Sequence, residues 1–231
     1  VVKLSAEERR DAILQAAVPL FARRGFADVT TREIARAAGV SEALLYRHFP
    51  SKLDIYQAIQ DHFVCFAGEP TERLASMPDS TQSLVVCVYL LMWKIQQGPP
   101  DKQQRQESLR RLLIRSILED GTFAAEFHLH TAALWVDKIQ ACLRAAIAAG
   151  DVDNEPEESE FGVWMGHHIA VAVGLYAMPP RAVVEYPGGN KKVLDRSVRF
   201  VLRGLGMTSE AMARHFNPEA LELLLSGALA S

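Results

Sequence analysis

The sequence predicts an all-α protein: an N-terminal three-helix domain of the helix-turn-helix type, followed by a larger helical domain. Two observations carry this. Apolar residues recur at three- and four-residue steps, and no strand-like alternation persists anywhere in the 231 residues. The periodic stretches are also bounded by capping sequences at their starts and by Gly or Pro at their ends. With 49% hydrophobic and 23% charged residues, the chain has the composition of a globular protein with a sizeable core.

The first helix starts at a capping box in which Ser5 is the N-cap and Glu8 lies three residues later. Its expected apolar face is Ile13, Ala16, Ala17, Leu20 and Phe21, with Pro19 removing one hydrogen bond and Gly25 ending the helix. A second capping box, Thr30 to Glu33, opens a helix that buries Ile34, Ala35 and Ala38 and stops at Gly39. Ser41 caps a short third helix in "SEALLYRHF". Ser51 caps a fourth, with Asp54 at N3 and an apolar line through Ile55, Ile59, Phe63 and Phe66, interrupted at "GEP" (68–70). Later helices are expected over 81–97, 101–119, 122–149, 156–178, 189–205, 209–216 and 218–226, separated by "GPPD", "DG", "GDVDNEP" and "PPRAVVEYPGG".

Several function classes are set aside at this level. There is no Gly-rich phosphate loop, HExxH or GxSxG, so an enzyme is not expected. Three scattered cysteines, Cys65, Cys87 and Cys142, form no CxxC pair, which argues against a disulfide framework and for a reducing, cytoplasmic setting. Charged residues fill positions 1–12, so no signal peptide is expected there. The apolar run 161–178 has His167 and His168 near its middle and is expected to be a core helix, with no membrane partner. Net charge is −3; residues 1–60 hold nine Lys/Arg and seven Asp/Glu (+2), and 61–231 hold sixteen and twenty-one (−5). That asymmetry is weak and does not by itself point to nucleic acid.

Two short helices joined across "AAGVS", with Gly39 at the turn and a supporting helix before them, describe a helix-turn-helix unit. The second helix of such a unit enters the major groove. An ordinary helical corner has the same spacing. The residues themselves go further. The stretch "ILQAAVPLFARRGFADVTTREIARAAGVSEALLYRHFPSKLDIYQAI" (13–59) has "F..RGF" at the end of the first helix, then "VTTREIARAAGVS", then "LYRHFPSKLDIY". In this combination it resembles the N-terminal domain of the TetR/AcrR family of bacterial transcriptional regulators.

The resemblance implies DNA contacts. Thr31 and Ser41, at helix starts, would meet phosphate, where a helix N-terminus favours an anion. Tyr46, His48 and Lys52 match the family's phosphate-touching positions. Ala43 would offer a methyl to a thymine methyl. Glu42 would either accept from a cytosine amine or complement the helix dipole. Arg47 would read guanine or hold phosphate. Leu44 and Phe49 are expected to pack inward.

The resemblance also implies a domain boundary: residues 1–52 for DNA binding, 53–231 for ligand sensing and dimerisation. Gly162, Gly166, Ala170 and Gly174 form a stripe without bulk, and Val193, Ser197, Phe200, Val201 and Gly204 line one side of a later helix. A twofold homodimer through 160–178 and 189–205, seated on a palindromic double-stranded operator, is therefore expected; the alternative is that the glycine stripe packs only within its own chain. The expected regulator is a repressor released by a small apolar or aromatic effector. Candidate pocket residues are Phe63, Phe66, Met92, Trp93, Phe127, Trp135, Trp164 and His168. An alternative is that this domain takes a protein partner or a metal. The candidates for a metal are His128, His130, His167 and His168 with Glu126, but their spacing matches no zinc signature. Neither a metal nor a cofactor is expected.

Overall fold

The computed structural model describes residues 5–68, 74–98, 103–153 and 159–229, apart from the side chains at 62–68, 105, 132–134, 159 and 227–229. Its helices are α1 (Ala6–Arg24), α2 (Thr31–Ala37), α3 (Glu42–His48), α4 (Lys52–Gly68), α5 (Thr81–Gln96), α6 (Gln103–Leu118), α7 (Thr122–Ala148), α8 (Ser159–Tyr176), α9 (Gly189–Gly204), α10 (Ser209–His215) and α11 (Pro218–Leu229). The only extended pairing among the described residues is an isolated bridge between Val152 and Met207. The architecture is all-α. No helix among the described residues is long and apolar enough to cross a membrane.

The chain forms two compact units. One comprises residues 1–69 and 104–131, the other 70–103 and 132–231. The motif boundary at residue 52 does not coincide with this division, because Ile55, Ala58 and Ile59 of α4, Leu112 of α6, and Phe123 and Phe127 of α7 share a core with α1–α3. In the first unit α1 packs against α2 and α4, and α2 against α3.

The expected caps form. Ser5 accepts from the Glu8 amide while Glu8 accepts from the Ser5 amide at 2.7 Å. Thr30 and Glu33 do the same for α2. Arg24 adds a 2.6 Å ion pair to Glu33, linking the end of α1 to the start of α2. Glu33 is held down to about 2 by the Arg24 hydrogen bond, then by those from Thr30. Ser51 accepts from the Asp54 amide at 3.2 Å and donates to its carboxylate at 2.6 Å. The buried face of α1 is Ile13, Leu14, Ala17, Phe21 and Ala22, so Leu14 and Ala22 replace the expected Ala16 and Leu20. In α3 the core residue is Leu45, at 0% exposure. The expected Leu44 is only partly buried, and Phe49 packs inward as expected.

The second unit is built around α5, which packs against α8, α9, α10 and α11. Val85, Val86, Cys87, Val88 and Tyr89 are successive and all buried, as in a helix enclosed on every side. The glycine stripe on α8 has its partner within the same unit. A Cβ at Gly162 would stand 2.9 Å from Leu205 Cδ2, and one at Gly166 would stand 2.8 Å from Val201 Cγ1. These glycines let α9 approach α8 within one chain.

Between α7 and α8 the chain is clasped to the segment after α9: Asp153 N–H donates to the Gly206 carbonyl at 2.8 Å, and Thr208 N–H to that of Asp151 at 3.0 Å. The buried Asp151 carboxylate accepts from Thr81 Oγ1 at 2.6 Å and pairs with Arg214 and His215 of α10. Asn217 caps α11, accepting from the Ala220 amide at 3.1 Å. Leu221 of that helix is buried, whereas Leu223 and Leu224 stay exposed.

Candidate nucleic-acid interface

The turn between α2 and α3 is made by backbone geometry. Gly39 has φ +66°, where a Cβ is disfavoured, although a Cβ there would meet nothing within 4 Å. The Val40 amide reaches back to the Ala35 carbonyl at 3.0 Å and closes the end of α2. Ser41 then starts α3, its hydroxyl accepting from the Leu44 amide at 3.2 Å. The hydroxyl expected to meet phosphate is thus also the cap of α3.

Burying Leu45 and Phe49 turns the opposite side of α3 outward. Ser41, Glu42, Ala43, Tyr46 and Arg47 are exposed and His48 is half-buried. Arg10 of α1 lies over the Phe49 ring, 4.5 Å from its centroid. The exposed side is tied to the start of α2 by Thr31, whose Oγ1 is 3.0 Å from the Tyr46 hydroxyl and donates to Glu42 Oε1 at 3.3 Å. Three residues singled out separately in the sequence therefore form one polar bridge across both helices. Their hydroxyls and carboxylate join the start of α2 to the outward side of α3, whose first residues are the ones that meet base edges in helix-turn-helix proteins.

Lys52 stands differently from expectation. Its ammonium donates to the carbonyls of Phe26 at 2.7 Å, Val29 at 2.9 Å and Ala27 at 3.3 Å, and lies 4.3 Å from the Phe26 ring centroid. An ammonium has three protons to donate, and three carbonyls take them. In this structure the residue fastens the α1–α2 loop to the start of α4. The sequence carries no signal of that, because the acceptors are backbone atoms.

The residues expected to line an effector pocket do not share one environment. Phe63 and Phe66 lie outside the described side chains. Phe127 belongs to the core of the first unit. Met92 and Trp135 are buried in the core of the second, with Trp93 packed against it. Trp164 and His168 sit on α8 in a ring cluster with His167, at 6.2 Å and 5.7 Å between centroids from Trp164. His130 Nδ1 is 2.8 Å from the Glu126 carbonyl of its own helix, and His128 lies against the Phe127 ring. Among the described residues no group of three or more His, Cys, Asp or Glu is placed to hold a metal.

The second unit does present an open apolar groove on α8 and α9, lined by Phe161, Gly162, Met165, Gly166, Ile169, Phe200, Val201 and Gly204. Phe161 and Phe200 are each 66% exposed. On α9, Leu194, Val198, Val201 and Leu202 face inward and Phe200 and Gly204 outward. The expected apolar side of this helix is therefore split: Val201 belongs to the core and Phe200 to the open face.

Comparison with known proteins agrees with this arrangement. The family described as "Bacterial regulatory proteins, tetR family" matches residues 13–59. The chain is 30% identical over 148 residues to the HTH-type transcriptional repressor KstR2 of Rhodococcus jostii (strain RHA1), covering 64% of this chain and 71% of that protein. It is 38% identical over 87 residues to the HTH-type transcriptional activator FasR of Mycolicibacterium smegmatis, covering 37% of this chain and 40% of FasR. The fold resembles that of AibR, solved in complex with isovaleryl coenzyme A and operator DNA, with a TM-score of 0.61 at 18% identity over 87% of this chain and all (100%) of AibR. This chain belongs to the tetR family of bacterial regulatory proteins and is a DNA-binding transcriptional regulator.

Proposed function

We propose that the protein is a sequence-specific repressor that binds a palindromic operator as a homodimer and leaves it when a small apolar or aromatic effector binds. The observation that carries the DNA reading is the outward side of α3 with Thr31 bridged to Tyr46 and Glu42. In the bound state Thr31, Ser41, Tyr46 and His48 grip phosphate, Ala43 and Arg47 face base edges, and Glu42 complements the dipole at the start of α3. Phosphate contacts set register and base contacts set sequence. With few strong readers in its first turn, α3 leaves part of the specificity to DNA shape. Lys52 joins the phosphate contacts only by exchanging a carbonyl for an anion.

The homodimer is supported by the α8–α9 groove, whose two exposed phenylalanines need cover. A twofold pair places two α3 helices on half-sites about 34–36 Å apart. The repressor reading is supported by KstR2, which is described as a repressor, and the effector reading by the structural neighbour AibR, which was solved in complex with isovaleryl coenzyme A and operator DNA. Binding-site selection from random and host-derived duplex DNA, using the full chain, tests the proposal. A palindromic consensus is expected, with loss of all binding on raising salt. A pool with no enriched sequence defeats it. A promoter-reporter assay then decides the sign of regulation.

A further inference from the structure

The end of α1 is held by a residue far outside the segment that matches the family. Arg115 lies on α6, 91 positions beyond Arg24, and its Nη2 donates to the Arg24 carbonyl at 3.0 Å. The matched segment covers only residues 13–59. The Arg24 carbonyl belongs to the last turn of α1, where the helix itself offers no donor. Arg115 Nε donates to Glu119 Oε1 at 3.1 Å, and this pair closes over Gly25. A Cβ at Gly25 would collide with the Glu119 carboxylate and stand 2.9 Å from Arg115 Nε.

From Arg24 the contacts continue to the start of α2. Arg24 Nη1 donates to Glu33 Oε1 at 2.6 Å, and its Nη2 donates to the Asp28 carbonyl. The other Glu33 oxygen accepts from the Thr30 amide at 2.9 Å and the Thr30 hydroxyl at 2.8 Å. Thr30 is the N-cap of α2, and the next residue, Thr31, meets Tyr46 and Glu42 of α3. Side-chain contacts therefore run in one series from α6 through the ends of α1 and α2 to α3, all within the first unit.

We propose that Arg115 is a positioning residue for DNA recognition, fixing the start of α2 through Arg24 and Glu33. This rests on the DNA reading of the outward side of α3 given above. Arg115 needs no contact with DNA in this role. The side chains of the two ion pairs are between 35% and 44% exposed, and pairs so open add little to stability. What a guanidinium supplies is direction, because its donors lie in a rigid planar fork. Losing Arg115 loosens the placement of α2 against α1 without unfolding the unit. A specific complex needs α2 across the DNA backbone and α3 in the groove at the same time. Non-specific binding through phosphate charge has no such requirement. The loss therefore falls on the specific complex.

The test uses the full chain, the duplex enriched by wild-type binding-site selection, and a scrambled duplex of the same length. Arg115→Gln is expected to weaken binding to the enriched duplex by a factor on the order of ten, the effect of about one hydrogen bond. Binding to the scrambled duplex, the salt slope and the urea midpoint should stay near wild type. Arg115→Lys keeps the charge and a donor and should recover most of the loss. Arg24→Gln should cause the same loss, and adding Arg115→Gln to it should weaken binding no further. Without DNA, hydrogen exchange of the α2 amides should quicken in Arg115→Gln, while the second unit stays unchanged.

Unchanged affinity for the enriched duplex, equal loss on both duplexes with a shallower salt slope, or full additivity with Arg24→Gln overturns the proposal. So does a fall in the urea midpoint large enough to account for the lost binding. Glu119→Gln and Arg115→Lys carry the same comparison if Arg115→Gln does not fold. If the wild type enriches no duplex, the DNA reading fails by itself, and unchanged exchange in α2 then shows separately that Arg115 does not hold that helix.

Discussion

The ammonium of Lys52 donates to the Phe26 carbonyl at 2.7 Å, across twenty-six positions of sequence. With its bonds to Val29 and Ala27 it satisfies carbonyls in the α1–α2 loop that helix geometry leaves open. A residue so placed holds the α1–α2 loop against the start of α4. Lys52→Met is therefore expected to lower the stability of the first unit by about 1–3 kcal/mol, the cost of leaving partly buried carbonyls unmet. Urea unfolding followed by helical signal checks this. A variant as stable as wild type but weaker on all DNA would mean the lysine acts chiefly on phosphate.

Thr31, Glu42 and Tyr46 share one hydrogen-bonded bridge, so their substitutions should not act alike. Tyr46→Phe removes only the hydroxyl and should weaken binding to all sequences by about tenfold or less, one lost hydrogen bond being worth about 1 kcal/mol. Glu42→Ala removes a carboxylate from the outward side of α3 and frees the Thr31 hydroxyl. Affinity should rise severalfold on every duplex, most at low salt. Titrations across several sequences at two salt concentrations separate the outcomes. If only one base position responds to Glu42→Ala, the carboxylate is a base reader instead.

Gly166 faces Val201 so closely that a Cβ would come within 2.8 Å of its Cγ1. Gly166→Ala should cost about 1–3 kcal/mol through overpacking. Val201→Ala in the same chain should recover part of that loss. Denaturant midpoints of the two single variants and the double variant form the required cycle. Strict additivity would show that the two residues do not press on each other.

These particulars mark how far the sequence reaches. The caps at Ser5, Thr30 and Ser51 were legible because a cap is a local event of four residues. The helices of both domains were legible from period and breakers, with ends shifted by up to a few residues. The inward residue of α3 was not. A seven-residue helix carries two adjacent leucines, and only its packing angle against α2 decides that Leu45 and not Leu44 is buried. The Lys52 contacts and the partners of Gly162 and Gly166 were hidden for a related reason: they are long-range pairings with backbone or with a distant helix. The candidate DNA-facing side was legible as residue names but not as a bonded unit.

Phe161 and Phe200 stand outward on α8 and α9, each 66% exposed, whereas Gly166 is turned into its own chain. The two features should separate association from folding. Phe161→Glu with Phe200→Glu adds charge to the groove without touching the buried Leu194, Val198 or Leu202. The variant should stay helical but run as a monomer, and its operator affinity should drop steeply because one half-site contact is lost. Light scattering measures the mass. A dimer of unchanged mass would move the interface elsewhere.

Asp151 sets a pH dependence whose sign is fixed by its partners. Its carboxyl lies below the ordinary aspartate value of 3.8, held there first by the Thr81 hydroxyl and then by Arg214 and His215, against the opposing cost of burial. A depressed folded-state value stabilises the fold fully above the unfolded value, and the contribution disappears as pH falls through the folded one. Asp151→Asn should therefore cost about 1–3 kcal/mol near neutral pH, less than a fully buried pair would, because the Arg214 side chain is 62% exposed. The gap between wild type and variant should be widest above about pH 5 and close progressively below 3.8. Urea unfolding of both proteins along a pH series measures the gap. A difference that stays constant down to strong acid would show that Asp151 acts through its hydrogen-bonding shape and not through its charge.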